Sequence, residues 1–472
     1  MEKQSVRAIL QRVWGYEDFR YPQAEIIKSL LNKRDTLAIM PTGGGKSLCF
    51  QLPAILQPGL TIVVSPLIAL MENQVQQLRE KNIPAGLIHS QQTKSDRRAT
   101  LSNLTELSLL YVAPETLLTP PVWEKLLQPL NINYLIIDEA HCIVQWGTTF
   151  RPSYTRLGAV RATLQQSKNQ SIAIAAFTAT ADYSTQKTIS KTLRLQRSQK
   201  FLINPYRNNL QLKVKTVWTP RSRKQATLKF VRQQHNNSGL IYVRSRNASE
   251  SLAQWLQQQG MNTAAYHGGI VNSKRRTIEK DWLTGKIPFV ICTCAFGMGI
   301  DKSDCRWVLH HHTPELLSEY LQEIGRSGRD GKSATALALI SEPTGWLDRE
   351  DKQRSQFFSK QLITQQKQAK QLFDLLPRQG NISSVTEQIP DSELALGVLQ
   401  NLGLIKWQDP FYYQKQSLNK KLIVPSQADK QMQQFLQTKQ CRWQFILSAF
   451  GFTKEARGFQ CGKCDRCLNK NK

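Results

Sequence analysis

Thr36-Leu37-Ala38-Ile39-Met40-Pro41-Thr42-Gly43-Gly44-Gly45-Lys46-Ser47 runs from a short apolar, β-rich stretch through consecutive glycines into a helical pattern. Glycines after a strand let the backbone bend until several N–H groups point at one anion, and the next helix adds the positive end of its dipole. In such a loop Thr42, Gly43 and Gly45 cradle phosphate, Lys46 reaches the β- and γ-phosphates, and the Ser47 hydroxyl ligates Mg²⁺. Met40 stands where the strict phosphate-loop pattern has its first glycine. The other half of such a site is a carboxylate at the end of a neighbouring apolar strand. Tyr134-Leu135-Ile136-Ile137-Asp138-Glu139-Ala140-His141 supplies it. Asp138 is placed to hold Mg²⁺ through water, and Glu139 to polarise the attacking water.

Outward from these stretches the same alternation repeats. Apolar runs at Thr61–Val64, Leu109–Val112 and Ile172–Phe177 join the two above. A second set follows at Leu240–Val243, Ala264–Tyr266, Phe289–Cys292, Trp307–Leu309 and Ala334–Ile340. Strands separated by amphipathic helical stretches predict βαβ units, hence α/β domains with parallel sheets buried on both faces. The polar stretch Asn204-Pro205-Tyr206-Arg207-Asn208-Asn209 reads as a linker between the sets. Beyond Glu342 the sequence becomes rich in glutamine and lysine.

The 472 residues carry 63 Lys+Arg against 35 Asp+Glu, a net charge of +28. A polyanion is therefore the expected partner, nucleic acid first and an anionic membrane surface second. No apolar run approaches the ~20 residues of a membrane helix. The opening Met1-Glu2-Lys3-Gln4-Ser5 lacks the apolar core of a signal peptide, so a cytoplasmic protein is expected. Nine cysteines in such a chain point to a reducing compartment, with a metal on some of them.

Taken together, Pro41–Ser47, Asp138–His141, Phe177-Thr178-Ala179-Thr180-Ala181 and Gln322-Glu323-Ile324-Gly325-Arg326-Ser327-Gly328-Arg329-Asp330-Gly331 resemble superfamily 2 helicase motifs in their expected order. Further stretches are similar to the RecQ family: Leu10 through Trp14-Gly15-Tyr16, Phe19-Arg20 and Gln23; Trp146-Gly147 with Phe150-Arg151-Pro152; Tyr266-His267-Gly268-Gly269; and Ala295 to Lys302. The resemblance covers about residues 6–340 and resumes at the terminal cysteines. It implies two RecA-like domains in tandem that complete one ATP·Mg²⁺ site. Tyr16 and Arg20 would sandwich the adenine and Gln23 bond its edge. Arg329 would be the arginine finger, with Arg326 a second γ-phosphate contact. Thr178 and Thr180 would link the ATP site to the cleft between domains.

Candidate DNA contacts lie at strand ends, where parallel sheets place ligands. They are Ser65-Pro66-Leu67 and Ala113-Pro114-Glu115, then Arg244-Ser245-Arg246 and His267-Gly268-Gly269. Trp146, Phe150, Arg151 and Tyr154 follow the acidic strand closely, so base stacking there would be felt at the ATP site. Thr148-Thr149 stands where the family usually has His-Asp. That change predicts an ATPase stimulated by DNA by a smaller factor than in a typical relative.

Cys441, Cys461, Cys464 and Cys467 have the spacing of a structural Zn²⁺ site, closed to substrate. Cys49, Cys142, Cys292, Cys294 and Cys305 read as core filler. Between the second domain and these ligands, Leu372–Val424 reads as helix, short helix, helix and two strands, an order that suggests a winged helix with Lys415, Lys420 and Lys421 on a wing.

The expected parts are a first RecA-like domain over 1–205 and a second over 206–342. A helical linker with the winged-helix-like segment spans 343–430, and a zinc module 431–472. The resemblance implies an ATP-dependent 3′→5′ DNA helicase acting in recombination and repair. Expected partners are single-stranded and forked DNA and a single-strand-binding protein, with the chain a monomer near the nucleoid. An RNA helicase, or a DNA-binding ATPase that hardly unwinds, are the alternatives.

Overall fold

The computed structural model describes residues 3–144, 151–296, 300, 302–416 and 426–469. Two compact units result: Met1–Ile203 with Gln361–Ile423, and Asn204–Lys360 with Val424–Lys472.

In the first unit seven strands form one parallel sheet in the order β3-β4-β2-β5-β6-β1-β7. They are β1 (Thr36–Ile39), β2 (Leu60–Val64), β3 (Ala85–Ile88), β4 (Leu109–Val112), β5 (Ile132–Ile137), β6 (Ala173–Thr178) and β7 (Gln199–Leu202). Every residue of β1, β2, β4, β5 and β6 is buried. Helices on both faces account for the unbroken apolar runs that announced these strands. Below the sheet, Asp35 accepts from the Ile174 N–H at 2.9 Å and the Gln196 N–H at 2.6 Å, and pairs with buried Arg161 at 2.6 Å. This clamp gathers the starts of β1, β6 and β7, so their far ends, which carry the site, are laterally fixed.

The second unit has a six-stranded parallel sheet in the order β10-β11-β9-β12-β13-β8. Its strands are β8 (Leu210–Val217), β9 (Gly239–Tyr242), β10 (Thr263–Tyr266), β11 (Phe289–Cys292), β12 (Trp307–His310) and β13 (Ala334–Ser341). The ten strands expected from the sequence all form, with ends shifted by one or two residues. β3, β7 and β8 are additional, and all three lie at sheet edges.

A third, antiparallel sheet, β14-β16-β15, belongs to the first unit. It comprises β14 (Gln379–Asn381), β15 (Ile405–Trp407) and β16 (Tyr412–Lys415), with the helices Ile382–Gln388 and Ser392–Leu402 between β14 and β15. The expected helix over Leu372–Leu376 is the end of the long helix Glu350–Leu375. Among the described residues no helix is long and apolar enough to cross a membrane.

Candidate functional site

In the first unit the glycine loop follows β1 directly, and Gly45 caps the helix Lys46–Leu56. Gly43 and Gly45 have φ of 81° and 73°, the left-handed region that glycine tolerates best. A side chain at Gly45 would also collide with Gln23, whose Nε2 would lie 2.3 Å from the new Cβ. Gln23 is buried; its Nε2 donates to the Gly44 carbonyl at 3.2 Å, and its Oε1 accepts the Arg20 N–H at 2.9 Å. The amide that is expected to read adenine is therefore fastened to the loop that cradles phosphate. Tyr16 and Arg20 are exposed beside it, ready to stack on a flat ring.

Asp138 and Glu139 follow β5, one strand over from β2. The Asp138 N–H donates to Val64 O at 2.9 Å, and the Ser65 hydroxyl donates to Asp138 Oδ2 at 3.4 Å. Glu139 turns at φ 46°, which sets its carboxylate 3.9 Å from Lys46 Nζ and 3.2 Å from His141 Nδ1. His141 Nδ1 also lies 2.9 Å from Thr178 Oγ1 at the end of β6. Burial, together with the neighbouring Glu139 charge, raises Asp138 to about 6 despite Lys46. Adjacent, partly buried carboxylates with a lysine beside Glu139 suit a hard divalent cation, so the donor set fits Mg²⁺.

The sign of that shift gives a test. Asp138 is raised above its unfolded value, so its stabilising contribution is complete at low pH and is lost as pH rises through about 6. Asp138→Asn should therefore stabilise the nucleotide-free chain at pH 7.5 by roughly 1–3 kcal/mol and abolish Mg²⁺-dependent hydrolysis. In urea unfolding the gain should shrink at pH 5, where the wild-type carboxyl is itself neutral.

In the second unit Arg326 and Arg329 sit on the turn that follows the helix Leu317–Ile324. Arg207 donates to the carbonyls of Gly325, at 3.2 Å, and of Gly328, while Asn209 Nδ2 donates to Gly328 O and Lys332 O, both at 2.8 Å. Gly328 has φ 61°, and a Cβ there would lie 2.6 Å from Asn209 Nδ2. The arginine turn is thus held by the stretch that read as a linker.

The four terminal cysteines converge. All four sulfurs lie within 4.8 Å of one another, with Cys464–Cys467 at 3.5 Å and both Cys461–Cys467 and Cys441–Cys464 at 3.9 Å. A tetrahedron of sulfurs around Zn²⁺ has edges of about 3.8 Å, from Zn–S bonds near 2.3 Å. The Cys461 N–H donates to Cys441 Sγ and the Cys464 N–H to Cys461 Sγ, each at 3.3 Å, which favours thiolate. The donor set fits zinc with no position left open.

Comparisons with known proteins agree with this geometry. Residues 20–189 match the DEAD/DEAH box helicase family, 222–331 the helicase conserved C-terminal domain, and 411–468 the RecQ zinc-binding family. The chain is 49% identical to the ATP-dependent DNA helicase RecQ of Synechocystis over 99% of both chains. The chain belongs to the RecQ family. The RecQ helicase of Haemophilus influenzae is 40% identical over 74% of this chain, which there spans 55% of the relative's length. Solved structures share the fold at low identity. Dbp5 of S. cerevisiae bound to RNA has TM-score 0.60 at 17% identity, covering 72% of this chain and 88% of its own. The helicase MrfA bound to DNA has TM-score 0.62 at 16% identity, covering 90% of this chain and 65% of its own.

Within this RecQ chain two of the expected DNA contacts already have partners inside the protein. Arg244, expected on a phosphate, grips buried Glu323 through both nitrogens at 2.9 and 2.6 Å, and its Nε donates to His312 O at 3.3 Å. Burial alone would raise Glu323, yet Arg244 and His310 hold it down at about 2. Arg244→Ala should therefore strip a buried carboxylate of its partner and cost roughly 3–5 kcal/mol in chemical denaturation. Arg246→Ala, at an exposed position two residues on, should leave stability unchanged and weaken DNA binding. Tyr154, expected to stack on bases, is fully buried and donates its hydroxyl to Asp138 O at 3.0 Å. Arg151 does meet the other first-domain candidates, with Nη1 3.3 Å from Glu115 and Nη2 donating to Pro66 O at 3.2 Å.

His267 is buried, with Nε2 2.9 Å from Glu250 and Nδ1 accepting the Gly269 N–H at 3.1 Å. Trp146, Phe150 and Thr148-Thr149 lie outside the described residues, as do Lys420 and Lys421. Lys415 is turned inward, donating to Leu376 O at 2.8 Å and lying 4.4 Å from the Phe373 ring centre. Sequence reasoning missed Arg207 and Asn209; the alternating pattern of β8, which begins at Leu210, was the available signal that ordered structure starts there.

Proposed function

We propose that this chain couples ATP hydrolysis to 3′→5′ movement along single-stranded DNA and thereby unwinds forked and tailed duplexes. The observation that carries the reading is the joined set Gln23, glycine loop, Lys46, Asp138 and Glu139 at the C-terminal ends of β1 and β5. In this assignment Tyr16, Arg20 and Gln23 hold the adenine, and Thr42, Gly43, Gly45 and Lys46 hold the phosphates. Ser47 and Asp138 hold Mg²⁺, which supplies charge neutralisation at the transferring phosphate when bound. Glu139 orients the attacking water, and its approach to Lys46 and His141 fixes where its oxygens point. Arg326 and Arg329 of the second domain meet the γ-phosphate when the domains close. Arg151, Arg246 and His267, with Trp146 and Phe150, line the track of the strand. Basic groups and small loops there suit phosphates, so little sequence preference follows.

The same reading divides the chain into nucleotide domain 1–205, arginine-finger domain 206–342, intermediate segment 343–430 and zinc module 431–472. Cys441, Cys461, Cys464 and Cys467 hold Zn²⁺ as an architectural ion. The element order from Leu372 through β14, two helices, β15 and β16 supports a winged helix upstream of the zinc ligands. We place the protein in the cytoplasm at the nucleoid, as a monomer working beside a single-strand-binding protein.

Strand displacement on duplexes with a 3′ or a 5′ tail, each with a DNA or an RNA loading strand, tests the reading against a Lys46→Ala control. Displacement confined to the 3′ DNA tail is expected. Preference for the RNA strand favours the RNA-helicase alternative, and hydrolysis without displacement favours the weakly unwinding ATPase. In the same assay Thr148→His/Thr149→Asp should raise the DNA stimulation of hydrolysis; an unchanged factor removes the role assigned to that pair.

A further inference from the structure

In a winged helix the second helix of the helix-turn-helix pair is the one that reads duplex DNA. Here that place falls to Ser392–Leu402, and its surface is occupied within the first unit. Ser392, Leu396, Gly397, Val398 and Leu399 are buried. Glu393 Oε1 accepts from Arg156 Nη2 at 2.6 Å and from the Ser153 hydroxyl at 3.1 Å. Arg156 is buried, reaches Pro410 O at 3.4 Å and stands 5.9 Å from the centre of the Trp407 ring. Near the other end of the helix, Asn401 Nδ2 donates to Ile143 O at 2.9 Å. Trp123 and Phe411 meet edge-on at 5.7 Å, and the Arg194 guanidinium donates to the Trp407 carbonyl.

The contacts of Glu393 and Asn401 fall on two short turns, Ala140–Ile143 and Pro152–Arg156. The first begins directly after Glu139 and carries His141. The second carries Tyr154, whose hydroxyl bonds the Asp138 carbonyl. One helix therefore grips both turns that adjoin the acidic pair; Ile143 is four residues from Glu139, and Ser153 neighbours the tyrosine that bonds Asp138, a carboxylate that must be held to within a fraction of an ångström.

We propose that the segment Gln379–Lys415 is a built-in brace for the nucleotide site, with Glu393 and Asn401 as positioning residues that set the rate of ATP hydrolysis. Duplex reading by the helix is replaced by support of the Asp138–His141 strand end. This rests on the helicase reading above, since it assigns the brace a rate to set.

The test uses the full chain with Glu393→Ala and Asn401→Ala, singly and combined. Steady-state hydrolysis is followed against ATP and against single-stranded oligonucleotide, alongside thermal unfolding. The double variant should lose about tenfold in DNA-stimulated kcat, in keeping with the sensitivity of positioned groups to sub-ångström shifts. KM for ATP and the half-stimulating DNA concentration should stay within about twofold, the pattern of a lost transition-state contact. Glu393→Gln, which keeps an acceptor oxygen for Ser153 and Arg156, should recover most of the rate. An unchanged kcat overturns the brace. So does a kcat loss that tracks a collapse in melting temperature and a rise in KM, which marks a purely structural contact. If the unaltered chain hydrolyses ATP without any response to DNA, the helicase reading fails first and the brace falls with it.

Discussion

Alanine in place of Arg329 is expected to lower kcat for DNA-stimulated ATP hydrolysis by roughly 10³-fold or more, the usual effect of losing an arginine finger. Phosphoryl transfer asks little covalent chemistry of the protein, so a cation aimed at the transferring group is one of the largest single contributions. The turn is built to present one. Arg207 and Asn209 fasten the carbonyls of Gly325, Gly328 and Lys332, and Gly328 takes a left-handed conformation so that Asn209 can approach. The proposed assignment places ATP binding on Gln23, the glycine loop and Lys46 in the first unit, so nucleotide affinity measured with a fluorescent analogue should change by less than about threefold. Arg329→Lys keeps the charge but not the planar fork, and should recover little. A variant that hydrolyses ATP as fast as the parent refutes the finger, and with it closure of the second domain onto the nucleotide.

The nucleotide site was legible because its signals are local: a strand, a run of glycines and a charged pair need no distant partner to be recognised. Central strands were legible for a related reason, since burial on both faces leaves a continuous apolar run. The edges were harder. β8 alternates, with Lys213 between Leu212 and Val214 and Lys215 after it, and lysines of that kind protect an open edge while they dilute its apolar signal. The internal partners of Arg244 and Tyr154 were hidden for one reason. A sequence displays an arginine at a strand end or an aromatic beside a basic residue, but not the partner it finds in space. Arg244 finds Glu323, 79 residues away, and Tyr154 finds the carbonyl of Asp138. Arg207 and Asn209 were hidden in the same way inside polar sequence whose partners lie more than a hundred residues on. The order of helices and strands after Leu372 was visible from element lengths, whereas the packing of Ser392–Leu402 depends on Arg156 and Ile143, which nothing near Glu393 or Asn401 reveals.

Removal of zinc should unfold much more than the cysteine loop. Cys441, Cys464 and Cys467 share one core with Leu210, Leu212, Tyr320, Phe435 and Trp443, so the metal nest and the second sheet are a single packed body. Arg442, fully buried, holds Asp465 through two bonds of 2.9 Å, and Asp465 Oδ2 accepts the edge N–H of Val214 at 3.2 Å. Gln211 Nε2 donates to Lys463 O at 2.8 Å and Trp443 Nε1 to Leu210 O at 3.2 Å, so the loop also covers the open edge of β8. Structural Zn²⁺ contributes about 10–16 kcal/mol of apparent binding energy in small zinc domains at neutral pH. That is comparable with the whole reserve of an ordinary domain, roughly 5–15 kcal/mol in total. Chelation, or Cys464→Ser, should therefore bring a large fall in melting temperature, a red shift of tryptophan emission as Trp443 meets water, and aggregation through the uncovered strand edge. Nucleotide affinity, which the proposed assignment places in the first unit, should survive, while DNA-stimulated hydrolysis, for which Arg329 is the proposed finger, should vanish. Zn²⁺ added back before aggregation should restore both signals and Mg²⁺ should not. A melting curve indifferent to a strong chelator would mean that Arg442, Asp465 and the shared core hold this end of the chain without the metal.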